Sequence, residues 1–163
     1  MPIVIVSGGL DPIHSGHIRL IQAAAPLGRV LVLLHSDAWL IRKKGYTFMP
    51  YAERAEVLAN IQGVWQVWAA ADQDDGGVDA TLRTVRDVYP DEPLVFANGG
   101  DRLRAPEAEE RACQETGIIL AYNVGGGKVQ ASSKLIAAVR GVQSSGASAA
   151  VLRHAPTSRR HRR

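Results

Sequence analysis

The stretch GGLDPIHSGHIRL, Gly8 to Leu20, carries two of the five histidines of a 163-residue chain. His14 and His17 stand three residues apart, with Ser15 and Gly16 between them. A glycine-rich turn that opens a helix presents backbone N–H groups and the positive end of the helix dipole, which together make an anion site. An imidazole in the first turn adds a directional N–H donor whose bond strengthens as charge builds on its acceptor. Gly16 lets an anionic chain approach the backbone closely, and Asp11-Pro12 sets the turn that aims the rings. The spacing points to two donors facing one anion.

Such donors need a rigid scaffold, and the sequence around them alternates strand with helix. Ile3 to Val6 is a short apolar, β-branched run of the kind that forms a buried parallel strand. A helix is expected from His17 to Ala25, a second strand at Arg29 to Leu34, and an irregular basic segment from His35 to Pro50. Then come a helix over Tyr51 to Ile61, a strand over Val64 to Ala70 and a helix over Val78 to Val88. A fourth strand, Leu94 to Ala97, precedes an acid-started helix from Pro106 to Thr116 that Gly117 stops. "IILAYN" is the fifth strand, and a last helix is capped by Ser132 or Ser133 and ended by Gly141. The pattern predicts an α/β fold: a Rossmann-like, doubly wound sheet of five parallel strands with helices on both faces. The folded domain is expected to span residues 1–141, with residues 142–163 a flexible basic tail.

In such a sheet, ligands bind beyond the carboxyl ends of the strands, near the topological switch point. The candidate residues lie there: Gly8 to His17 after the first strand, Lys43 and Lys44 after the second, Gly99 to Arg102 after the fourth, and Gly125 to Ser133 after the fifth.

At this point the chain resembles a known group. "GGLDPIHSGH" is similar to the HxGH signature of the nucleotidylyltransferase superfamily, with Leu10 in the slot of its usual phenylalanine. "HSDAWLIRKKG", "MPYAERAEVLANI", "FANGGDR" and "ASSKLI" match further stretches of that family, so the resemblance covers residues 3–140. It is strongest to small cytidylyltransferases acting on glycerol-3-phosphate-like substrates and to the adenylyltransferase domain of heptose-phosphate enzymes. The resemblance implies attack of a substrate phosphate oxygen on the α-phosphate of a nucleoside triphosphate, with release of pyrophosphate. It casts His14, His17 and Lys44 as catalytic. It casts Gly8, Gly9, Leu10, Asp11, Gly16, Gly100, Asp101, Ser132 and Ser133 as nucleotide-binding, with Asp11 holding the turn by its own hydrogen bonds. Arg54, Arg102 and Lys128 are cast as substrate-binding, with a pair to Asp37 or a nearby acid as the other reading of Arg54. CTP is the expected nucleotide and ATP the alternative. The acceptor is expected to be a polyol or sugar phosphate. Mg²⁺ accompanies the nucleotide, with no protein cage of its own. The relatives also make a homodimer an expectation.

Bulk properties exclude several other classes. With 46% hydrophobic and 21% charged residues, the chain is not globally disordered. No apolar run approaches the roughly 20 residues of a membrane span, and MPIVIVSGG reads as a strand, not a signal peptide. The single cysteine, Cys113, suits a reducing cytoplasmic setting and reads as inert. Residues 1–150 carry fourteen basic and sixteen acidic side chains, a net −2, which argues against gripping nucleic acid. That balance and the chain's length also argue against a class I aminoacyl-tRNA synthetase. A nucleotide-binding module without turnover is the remaining rival. Trp39, Trp65 and Trp68 read as packing residues, and His35 as structural.

Overall fold

In a computed structural model the described residues are 1–100, 103–127 and 131–145, with backbone alone for 142–145. Five strands, β1 (Ile3–Gly8), β2 (Arg29–Leu34), β3 (Val64–Ala69), β4 (Leu94–Gly99) and β5 (Ile119–Val124), form one parallel sheet in the order β3-β2-β1-β4-β5. The connecting helices are α1 (Ser15–Ala24), α2 (Asp37–Lys44), α3 (Tyr51–Ala59), α4 (Asp79–Val88) and α5 (Glu107–Thr116), with a 3₁₀ turn at Ala25–Leu27. These elements lie in a unit spanning Met1–Ser132; a second unit, Ser133–Arg163, contains nearly all of α6 (Ser132–Ser145).

The two-sided burial follows from the strands' period of two. Ile3, Ile5, Leu31, Leu33 and Phe96 pack with Leu82, Val85 and Cys113 in one core cluster. Val4, Val6, Val30, Val32 and Leu34 pack with Ile21, Ala24 and Leu58 in the other. Both faces are apolar, as a parallel sheet covered by helices requires. Trp65 and Trp68 lean on the first cluster, as their packing assignment expects. Buried Cys113 has its thiol pushed up to about 11 by burial and by Glu109, so it stays unreactive.

Two expectations need correction. The segment after β2 is not irregular, because α2 occupies Asp37–Lys44. Ser36 caps it by accepting from the Trp39 amide, Asp37 sits in the first turn, three basic residues fill the last, and Gly45 closes it at φ 84°. Gly141 does not stop the last helix, which continues to Ser145. One glycine costs a helix only about 1 kcal/mol. Gly117 does act as a left-handed stop, with φ 67°.

The strand order places the switch point between β1 and β4: the chain winds outward through β2 and β3, then crosses back to β4. The β1–β2 register runs to Gly8↔Leu34, whereas the β1–β4 register ends at Ile5↔Phe96. A crevice therefore opens past Ile5, with the histidine turn on one lip. Leu82, fully buried beside the sheet, sets a test of this core. Leu82→Ala should lower unfolding free energy in urea by about 2–5 kcal/mol; a change within experimental error would contradict the packing described.

Candidate functional site

The histidine turn is built by its own rings. His14 is the N-cap of α1, and its Nδ1 accepts the Gly16 amide at 3.1 Å. His17 completes a reciprocal cap: its Nδ1 accepts the His14 amide at 3.2 Å. The rings stack with centroids 3.7 Å apart and planes within 20°. An Nδ1 that accepts carries no proton, so both imidazoles are assigned as neutral Nε2–H tautomers, each able to donate only from Nε2. Burial, and then the neighbouring His14, push the His17 imidazole down to about 3.

Beneath the turn, packing fixes the backbone. A Cβ on Gly9 would come within 2.7 Å of Leu40 Cδ2 and 3.0 Å of Trp39 Cζ3. Leu10 takes a left-handed φ of 49° and lies in the second core cluster. Its side chain is a core anchor. The Asp11 carboxylate accepts Lys44 Nζ at 2.8 Å, the Phe48 amide at 2.8 Å and the Met49 amide at 2.6 Å. Burial works to raise its pKa, but the bonds from Lys44, Phe48 and Met49 outweigh this and hold the carboxyl below its usual value. Asp11 thus holds the turn, as one reading of it expects.

A cavity of about 580 Å³ opens over this turn, within the size range of ligand pockets. Of the expected residues, His14, His17, Gly8, Gly9, Gly16, Gly100 and Ser132 line it. Ser132 does not act as a cap: it begins α6, and its Oγ donates to the Pro12 carbonyl at 3.0 Å. Ser133 begins the second unit. Asp101, Arg102 and Lys128 lie outside the described residues.

Two expected cations are elsewhere. Arg54 is fully buried. Its Nη1 donates to the Gly9 carbonyl at 2.6 Å and the His35 carbonyl at 2.9 Å, its Nε to the Met49 carbonyl at 2.8 Å, and its Nη2 to Asp37 at 2.6 Å. Of its two readings, the Asp37 pair is the one seen, and its donors are turned to backbone, away from the cavity. Lys44 is held at Asp11, also bonding that residue's carbonyl at 2.7 Å, and its neighbour Lys43 lines the cavity.

Several lining residues were not read from the sequence as ligand contacts: Arg19, His35, Trp39, Asp75, Asn98 and Glu109. Trp39 becomes visible beside the candidate Lys43 once α2 is recognised from Ser36 and Lys43-Lys44-Gly45, because i and i+4 share a helix face. Glu109 is 4% exposed, with Oε1 accepting the Val78 amide at 3.3 Å. Nothing in the sequence separates it from Glu107 and Glu110. Among the described residues, no group of three or more His, Cys, Asp or Glu side chains gathers as a metal cage, and no helix is long and apolar enough to cross a membrane.

Comparison with known proteins follows the same lines. The family description "Cytidylyltransferase-like" matches residues 5–123. The chain is 38% identical over 101 residues to the bifunctional protein HldE of Rhodopseudomonas palustris, covering 60% of this chain and 19% of that protein. It therefore spans about a fifth of the length of that relative. It is 31% identical over 117 residues to an FAD synthase of Thermococcus kodakarensis, covering 71% and 73% of the two chains. The solved lipopolysaccharide core biosynthesis protein of Thermoplasma volcanium shares the fold, with a TM-score of 0.58 and 19% identity over 76% of this chain and 94% of that one.

Two tests follow from this geometry. Arg54→Met keeps the bulk but leaves three carbonyls without their donor, so stability in urea should fall by more than about 3 kcal/mol; wild-type stability would refute the buried hub. The His17 ring should show the neutral Nε2–H pattern in imidazole ¹⁵N spectra from pH 8 to below pH 5. Its folded pKa lies below the unfolded 6.5, so its contribution to stability is complete above 6.5 and is lost as pH falls toward 3. A titration midpoint near 6.5 would rule out the half-buried, Nδ1-bonded ring.

Proposed function

The chain belongs to the cytidylyltransferase-like family, a family of nucleotidyltransferases, and from that premise we propose that it transfers a nucleoside monophosphate to a phosphorylated small molecule. The observation that carries this reading is the stacked, mutually capped His14–His17 pair at the lip of the cavity. An oxygen of the acceptor's phosphate attacks the α-phosphorus of the triphosphate. A new P–O bond forms on one side as the bond to the β-phosphate oxygen breaks on the other, and pyrophosphate leaves. The nucleophile is already an anion, so positioning and charge stabilisation do most of the work. In this reading the two Nε2–H groups donate to phosphoryl oxygens as charge builds there. The turn of Gly8, Gly9 and Gly16, with Gly100 and Ser132, lets the phosphate chain lie against backbone. Asp101, Ser133, Arg102 and Lys128 keep the ligand roles the family resemblance implies.

Lys44 acts through Asp11, holding the turn. Mg²⁺ enters with the nucleotide, as part of the substrate. Asp75 and Glu109 in the cavity wall suit an acceptor rich in hydroxyl groups, since carboxylates accept their protons. This supports a polyol or sugar phosphate. CTP is the first nucleotide to test. ATP is the second, favoured by the relative named an FAD synthase, whose product contains an adenylyl group.

The experiment has two stages. Thermal shifts with Mg²⁺ and each of CTP, ATP, GTP and UTP identify the nucleotide, because a ligand of the native state raises apparent stability. Pyrophosphate release is then followed with glycerol 3-phosphate and a panel of sugar phosphates. Turnover with one acceptor is expected, and His17→Ala should lower it by about 100-fold or more with the fold intact. Nucleotide binding without pyrophosphate from any acceptor would convert the reading to a binding module.

A further inference from the structure

The cavity wall contributed by the exits of β2 and β3 holds a three-layer stack. His35 and Trp39 lie with ring centroids 3.9 Å apart and planes within 10°. Lys43 Nζ sits 4.3 Å from the centroid of the same indole. One face of a ring cannot hold both groups at that range, so they take opposite faces. Trp39 therefore has no face left for a nucleobase. Its edge is fixed too: Nε1–H donates to the Gly76 carbonyl at 3.1 Å, and a Cβ on Gly76 would come within 3.0 Å of that nitrogen. A flat, buried indole tied at its edge holds a lysine one helical turn further along α2, and all of these residues line the cavity.

The two halves of the cavity differ in their chemistry. On the β4 and β5 side the lining is rich in glycine backbone, Gly99, Gly100 and Gly125 to Gly127, with Asn98 and Glu109 beside it and Arg19 near Gly125. That suits a long anionic chain held through amides. On the β2 and β3 side the cation is Lys43, presented by Trp39. Two polyanions that must meet at the histidine turn repel each other, so each needs a positive charge of its own.

Resting on the nucleotidyl-transfer reading, we infer that Lys43 is the cation that receives the acceptor's phosphate and that Trp39 is its positioning residue. Lys44, one residue on, holds the turn. Sequence order alone cannot tell the two apart, but the phase of α2 does.

Inorganic phosphate is the probe, because it carries the recognised group without the acceptor's carbon skeleton. It is titrated into the ¹⁵N-labelled full chain saturated with Mg²⁺ and the nucleotide found above, and the Gly76 and Gly77 amide resonances are followed. Saturable shifts are expected in the wild type. Lys43→Gln should weaken phosphate by about 10-fold or more, as for a lost bond to a charged group, while nucleotide affinity changes less than about twofold. Lys43→Arg should recover most of the affinity, and Trp39→Phe, which keeps an aromatic platform, should retain more of it than Trp39→Leu. No phosphate shifts in the wild type, equal affinity in Lys43→Gln, or a matching loss of nucleotide affinity would each overturn the inference. Failure of the wild type to bind any nucleotide is a separate result and overturns the transfer reading itself.

Discussion

A single buried guanidinium ties together the parts of the chain that form the cavity floor. Arg54 reaches from α3 to carbonyls at the exits of β1 and β2 and at the end of the α2–α3 loop, and it meets Asp37 at the start of α2. Three neutral acceptors and one carboxylate around one centre need a planar fork of donors, which arginine has and lysine lacks. Burying that charge is tolerable because four of its five N–H groups meet an oxygen, one of them a carboxylate's. Asp11 grips the same loop with the opposite charge, through the amides of Phe48 and Met49. The histidine turn is held between these two clamps, and its rings cap each other.

The sheet was legible because its signal is redundant. The three central strands are apolar runs largely buried on both faces, and the alternation of Ile3 and Ile5 against Val4 and Val6 repeats in β2 as Leu31 and Leu33 against Val30 and Val32. The histidine turn was legible because its glycines and imidazoles fall directly after the first strand. The segment from His35 to Pro50 was misread because its composition suggests a loop. Its capping residues, Ser36, Asp37 and Gly45, carried the correct message in types that also mark turns.

The cations were the least legible part of the site. Arginine in an amphipathic helix usually faces water, and no local pattern reports that Arg54 points inward under a neighbouring turn. Its partners are 5 to 45 positions away in the chain. Lys43 and Lys44 are chemically identical neighbours, and only the rotation of α2 sends one to Asp11 and the other over Trp39. Leu10 was assigned by analogy with a motif position, while its side chain is required by the core. In each case long-range packing decided, and sequence reports that only after the fold is known.

The tautomers of the capped rings bear on how a reaction cycle would end. A ring whose inner nitrogen is engaged by its own backbone has no second proton to carry, so the centre of the cleft holds dipoles in place of full positive charges. Dipoles reward alignment, and their pull fades with distance faster than that of a full charge. An oxygen would be gripped while it lies in line and let go once the phosphorus relaxes, leaving the departing pyrophosphate no deep Coulombic well at these rings.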